Sequence, residues 1–250
     1  MRVQICSDIH IECMADEIID PWEFIEVKAD ILILAGDIGS LYRIGQLRHF
    51  LVEVCKKFVT VLYCLGNQAY YVKDNHNPLQ MYQLENRLYT IENEIPNLFV
   101  LNCKSMVIGD ICFCGATLWS MPEVRLPKYL VRIHGITTES YTKAHLKDVA
   151  YIEKMIKYCS SNNLKLVVIT HYCPTYDVLE PGREKDRFVS LYVTDLDRLL
   201  NVNIVSTWIA GHTHYNFDFV SKGGTRVVSN MKGKLKDCVT DYKKDFVIQV

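Results

Sequence analysis

The chain has 250 residues, 49% of them apolar and 23% charged, with a formal net charge of −1. This composition is ordinary for a soluble globular protein and excludes a chain dominated by disorder. The near-zero charge argues against a surface built for non-specific nucleic-acid or membrane binding, which needs a strong basic excess.

The chain opens Met-Arg-Val-Gln-Ile-Cys-Ser-Asp. Charge comes early and no long apolar run follows, so neither a signal peptide nor a membrane span is expected. A first strand is predicted over Arg2–Cys6, ending at Ser7-Asp8-Ile9-His10. A second, Ile31–Ala35, ends at Gly36-Asp37. Leu41–Phe58 has helical spacing. Val59–Leu65 reads as a strand ending at Gly66-Asn67, and Leu79–Ile95 as a helix stopped by Pro96. Phe99–Thr117 reads as two or three short strands. Thr137–Ser161 is the longest helix, opened by capping residues. Leu164–Ile169 is a strand ending at Thr170-His171, and Asp195–Leu200 a short helix. Ile204–Ala210 is a strand ending at Gly211-His212-Thr213-His214, and Tyr215–Asn230 a hairpin turning near Lys222-Gly223-Gly224. Strand-length apolar runs alternating with helices predict sheets flanked by helices, in one domain spanning 1–250.

The ten cysteines include several inside apolar strand-like runs (Cys6, Cys64, Cys112, Cys114), and no Cys-x-x-Cys pair. They read as reduced thiols acting as small hydrophobes, which places the protein in the cytoplasm.

The chemistry gathers at strand tips, where sites of open α/β folds lie. Four of the eight histidines stand there: His10, His171, His212 and His214. Each signal alone has a plain alternative. Asp8-Ile9-His10 reads equally as a capped turn, Gly36-Asp37 as turn chemistry, and Asn67 as a residue that tolerates a left-handed turn. His212 and His214 say more, because residues two apart in extended chain point the same way. Together, two Asp, one Asn and four His at five tips form a donor set suited to Mn, Fe, Zn or Ni rather than Ca. Ions about 3.5–4 Å apart can clamp a phosphoryl group and activate water.

In this order the motifs resemble the calcineurin-like metallophosphoesterase superfamily, whose pattern is Asp-x-His, Gly-Asp, Gly-Asn-His-Glu/Asp, a His after a strand, and Gly-His-x-His. Gly115-Ala116-Thr117-Leu118-Trp119 and Val227-Val228-Ser229-Asn230 extend the likeness toward a bacterial-type branch. The resemblance implies a four-layer α/β/β/α sandwich of two mixed sheets flanked by helices. It implies two divalent ions, Mn, Fe or Zn foremost. One would take Asp8, His10, Asp37 and His214. The other would take Asp37, Asn67, His171 and His212, with Asp37 bridging. The nucleophile it implies is a metal-bound hydroxide.

The third motif departs from the pattern. It reads Gly66-Asn67-Gln68-Ala69. Gln68 replaces the family's acid histidine and Ala69 the acidic residue that orients it. A general acid contributes about 10²–10⁴-fold. Gln68 donates a neutral hydrogen bond but no proton, so poor leaving groups should suffer most. His76, in the polar loop Lys73–Asn77, is a weak substitute candidate.

Arg183 and Arg187, in the mixed-charge loop after His171, are candidate grips for a substrate phosphate. Tyr129 and Arg132 are weaker ones. Cys173 reads as a bystander. The expected function is hydrolysis of a phosphodiester or a small phosphorylated metabolite, attenuated by loss of the acid. The alternative is a metal-binding scaffold or protein-interaction module of the same fold. The arginine-bearing motifs of protein phosphatases and the extra domains of nucleases are not found.

Overall fold

The computed structural model describes residues 1–72, 77–201 and 203–250. His76 lies outside them. Eleven strands fall in two sheets. The first holds β1 (Arg2–Cys6), β2 (Ile31–Ala35), β3 (Thr60–Cys64), β4 (Leu98–Val100) and β11 (Val247–Gln249), in the order β11-β1-β2-β3-β4. Its strands are parallel except β11, which pairs antiparallel with β1. The second holds β5 (Lys104–Ile108), β6 (Ile111–Ala116), β7 (Lys165–Thr170), β8 (Val205–Ile209), β9 (Asp218–Val220) and β10 (Arg226–Val228), in the order β5-β6-β7-β8-β10-β9. There β6, β7, β8 and β10 run parallel, and β5 and β9 are antiparallel edges.

Side-chain parity explains the layering. A strand buried on both faces sends alternate residues to opposite cores. Val3, Ile5, Ile31, Ile33, Leu62, Phe113, Val167, Ile169 and Ile209 meet in one core between the sheets. The intervening Leu32, Leu34, Val61, Val168 and Trp208 face the helices. Helices α1 (Ile44–Cys55) and α2 (Met81–Glu94) cover the first sheet, and α3 (Thr138–Asn162) the second. The result is the four-layer α/β/β/α sandwich of two mixed sheets.

The helix limits follow local chemistry. Thr137 caps α3 by accepting from the Ser140 amide, and Asn163 closes it in the left-handed region at φ 56°;. The Leu41–Phe58 segment starts as a 3₁₀ turn over Leu41–Arg43 before α1 begins. The Asp195–Leu200 segment forms only a 3₁₀ turn, Asp197–Leu199. The strand β11 had no sequence signal, since three residues give too little alternation to read. Among the described residues no two cysteines are joined in a disulfide. Among the described residues no helix is long and apolar enough to cross a membrane.

Helix α3 also fixes the loop leaving β6. Asp148 accepts the Leu118 amide at 2.9 Å and the Cys103 thiol at 3.3 Å, and the His145 ring meets the Trp119 carbonyl. Leu118 is held at φ 55°, in the left-handed region. Asp148 is buried, and burial pushes its pKa up to about 6. Its folded value thus lies above the unfolded one, near 4. The stability it contributes is full below about pH 4 and is lost as pH rises through about 6, on the order of 3 kcal/mol in all. Urea unfolding between pH 4 and 7 should therefore show a falling stability that the Asp148→Asn protein lacks. Parallel profiles for the two proteins would refute this.

Candidate metal centre

Parallel strands deliver their carboxyl ends to one edge, and the two packed sheets bring two such edges together. The first sheet supplies Asp8 and His10 after β1, Asp37 after β2 and Asn67 after β3. The second supplies His171 after β7, and His212 and His214 after β8. All seven side chains gather there in two adjoining clusters. In one, His214 Nε2 lies 3.2 Å from Asp8 Oδ1 and 3.0 Å from His10 Nε2, and His10 Nε2 lies 4.0 Å from Asp37 Oδ2. In the other, His171 Nε2 lies 3.3 Å from Asp37 Oδ2, 3.0 Å from Asn67 Oδ1 and 3.3 Å from His212 Nδ1.

The protons of these rings are committed elsewhere. His10 Nδ1 faces Glu12 at 2.9 Å and His214 Nδ1 faces Asp237 at 2.6 Å. His171 Nδ1 faces the Ala35 carbonyl at 3.1 Å, and His212 Nε2 the Leu191 carbonyl at 3.2 Å. Each of those partners only accepts, so the ring nitrogen facing it carries the hydrogen. The opposite nitrogens, which face one another, therefore present bare lone pairs. Lone pairs at such spacing repel unless positive charge lies among them. Two atoms each about 2.1 Å from one ion stand roughly 3.0 Å apart at a right angle and roughly 3.4 Å apart tetrahedrally. All these separations but the 4.0 Å from His10 to Asp37 are of that size, so both donor sets fit a divalent ion of the transition-metal type;.

Without an ion, protons serve the same need. Burial opposes charge on Asp37, yet His171 and His10 hold its pKa down at about 2. Asp8 is drawn below the ordinary carboxylate range in the same way, chiefly through His214. Burial also works against charge on His171, but Asp37 raises its pKa to about 9. His212 is pushed down to about 3 by burial and by His171.

The backbone bends to bring the donors in. Asp8, His10, Asp37, His212 and His214 all have φ between 50° and 75°, a costly region for residues other than glycine;. The glycines before them leave room. A Cβ on Gly66 would overlap the Asp37 carboxylate and come within 2.5 Å of its amide nitrogen. The Asp37 carboxylate also accepts the Gln68 amide at 2.9 Å, and both Asp8 oxygens accept the His212 amide.

A family model of the calcineurin-like phosphoesterases matches residues 1–216. The chain belongs to the calcineurin-like phosphoesterase family. It is 26% identical over 256 residues to "Uncharacterized protein L509" of Acanthamoeba polyphaga mimivirus, covering 89% of this chain and 88% of that one. A phosphopantetheinyl hydrolase of Mycobacterium tuberculosis shares the fold with a TM-score of 0.69 at 16% identity, over 99% of this chain and 95% of the other. A dimetal phosphatase from Danio rerio does so with a TM-score of 0.55 at 11% identity, over 92% and 86%.

In this member of the family His10, Asp37, Asn67, His212 and His214 line a cavity of about 640 Å³. Gln68 lines it. Ala69 is fully buried in the apolar core. Arg183 lines the cavity too, with its guanidinium 5.1 Å from the Tyr192 ring and 3.4 Å from Asp186. Arg187 is not among the lining residues; its guanidinium lies 4.4 Å from the Phe188 ring. The Cys173 thiol is buried, donates to the Gly211 carbonyl at 3.1 Å, and is driven upward in pKa by burial, which does not suit a nucleophile;.

Several residues at the site escaped the sequence. Glu12 and Asp237 orient two ligand-like histidines. Tyr172 stacks on His212 with ring centroids 4.0 Å apart. Lys234 and Lys236 line the cavity from the segment after Gly233. Only Glu12 left a trace, as a carboxylate two residues from His10. Asp237 reaches His214 from 23 residues away.

A carboxylate that fixes a ligand histidine is worth about 10–100-fold in metal affinity. Calorimetric titration with Mn²⁺ should show a weakening of that size for Asp237→Ala. A smaller loss is expected for Asp237→Asn, whose amide oxygen still accepts from His214. Unchanged affinity in the alanine protein would remove Asp237 from this role.

Proposed function

We propose that this protein is a metal-dependent phosphoesterase acting on phosphodiesters or other small phosphorylated metabolites. The observation that carries the reading is the convergence of bare lone pairs on the cavity floor. Asp8, His10, Asp37 and His214 hold one divalent ion, and Asp37, Asn67, His171 and His212 the other, with Asp37 shared. Mn, Fe or Zn suits these oxygen and imidazole donors. Bound there, two such ions supply Lewis-acid activation of water and of the phosphoryl oxygens.

The protein's own groups do the rest. Arg183, Lys234 and Lys236 line the cavity together with Glu180, Asp237 and Asp241, and the three cations are the groups that can meet an anionic substrate;. A volume of about 640 Å³ suits a small molecule;. Tyr172 keeps the His212 ring from turning, and Glu12 and Asp237 keep His10 and His214 in the tautomer that points a lone pair inward. Gln68 stands where a leaving oxygen would emerge. Its amide can donate a hydrogen bond to that oxygen, yet the oxygen must depart without a proton from this side chain. Residues 1–250 act as one domain in this reading. The free thiols fit a reducing, cytoplasmic setting;. The solved neighbours described as a phosphopantetheinyl hydrolase and a dimetal phosphatase support the same class of reaction.

The pairing of Gln68 with buried Ala69 favours a second reading, a metal-binding scaffold without turnover. Hydrolysis of bis(p-nitrophenyl) phosphate with Mn²⁺ separates the two, with Asp37→Asn protein as the blank. The leaving group there needs no proton. Turnover that disappears in Asp37→Asn is expected. None above that blank, in protein shown to contain metal, would leave the scaffold.

Restoring the acid gives a further measurement. Gln68→His should raise the rate on alkyl phosphodiesters by about 10²-fold or more, and that on p-nitrophenyl esters far less. An equal gain on both classes would show that Gln68 does not limit proton delivery.

A further inference from the structure

A second cavity, of about 680 Å³, lies beside the first, and Val131 lines both. It is walled by the segment that runs from β6 into α3. Its floor is apolar, with Val131 and Ile133 buried. Around it stand the exposed Arg125, Lys128, Arg132 and His134, and among the described residues no carboxylate lines it. The first turn of α3, at Thr137 and Thr138, also faces it and adds the positive end of a 25-residue helix;.

These cations differ from four of the eight arginines elsewhere in the chain. Arg43, Arg48, Arg198 and Arg226 each meet a carboxylate within 3 Å. Among the described residues, Arg125 and Lys128 have neither an ion pair nor a side-chain hydrogen bond. The Arg132 guanidinium lies 5.8 Å from the Tyr71 ring. That ring lines the first cavity, and Tyr71 pairs with Ile133 in an isolated β-bridge. Val131 is thus common to the two cavities, and Tyr71 stands in the first, against Arg132. Three cations with no carboxylate partner among the described residues, over an apolar floor, are the chemistry of an anion carried on an organic stem;.

We propose that the second cavity binds a second phosphate of the substrate, on the side of the ester away from the bond that is cut. The inference rests on the phosphoesterase reading and narrows its substrate to organic phosphodiesters bearing a further terminal phosphate. Arg125, Lys128 and Arg132 grip that phosphate, and Val131 and Ile133 support the stem.

Two measurements test it. The first does not depend on catalysis. Inorganic pyrophosphate is titrated into Asp37→Asn protein and followed by NMR at the Arg125 and Arg132 side chains and the Thr137 and Thr138 amides. Shifts are expected there, and their loss in the protein also carrying Arg125→Gln and Lys128→Gln. The absence of shifts would overturn the proposal while leaving the phosphoesterase reading intact. The second compares thymidine 5′-(p-nitrophenyl phosphate) with the same ester bearing a 3′-phosphate. The added phosphate should lower KM about tenfold, and the Arg125→Gln/Lys128→Gln protein should lose that advantage. Pyrophosphate binding without any KM advantage would also overturn the proposal, because it would make the cavity a site for a free anion.

Discussion

Four imidazoles and two buried carboxylates point their unprotonated atoms at one another, and most of the structure around them serves to keep them so. Such an arrangement is stable only with positive charge at its centre. The fold forces the issue by committing each outward ring nitrogen to an acceptor: Glu12, Asp237, and the carbonyls of Ala35 and Leu191. A histidine free to flip or change tautomer could escape the conflict by turning a hydrogen inward. These cannot. When no ion is present the charge comes from protons, which is why the pKa of His171 climbs to about 9 although burial acts against it.

The cost of holding that arrangement is spread over distant elements. The acceptors come from the end of β2 and from the 3₁₀ turns Ile11–Cys13, Val189–Leu191 and Leu235–Asp237. Asp148 on α3 fixes Leu118, and the neighbouring Thr117 carbonyl accepts the Tyr172 amide, next to His171. The helix layer therefore acts on the site through the loop between them. Local strain is accepted as well, since five of the donors sit in the left-handed region;.

How much of this was legible in the sequence depends on whether a feature is local. A strand end is local: β-branched runs stop at polar residues, and the tips named Asp8, His10, Asp37, Asn67, His171, His212 and His214 without any knowledge of the sheets. The paired-core layering was legible too, because runs with no polar face have to be covered on both sides. The groups that orient the histidines were not. Asp237 meets His214 only because the chain doubles back after β10, and nothing in Lys234-Leu235-Lys236-Asp237 marks it as more than a polar turn. The Tyr172 and Tyr192 rings beside His212 looked like ordinary aromatics for the same reason. The three-residue β11 is a strand only because β1 offers it an open edge.

The same distinction bears on Gln68 and Ala69, which look like one change in sequence and are two in the structure. Gln68 stands at the cavity wall, where side chains of different polarity are tolerated because one face meets solvent. Ala69 is sealed in the apolar core with Tyr70. A carboxylate there would be buried and without a partner, at a cost of several kcal/mol if ionised. A proton donor is therefore recoverable at residue 68, while the acidic group that would orient it is not recoverable at residue 69 without repacking. Five strained donor residues persist beside this altered motif. What they keep in place is a cluster of carboxylate and imidazole donors lining a cavity. The strain is thus spent on bringing together groups that could hold cations, rather than on the delivery of a proton.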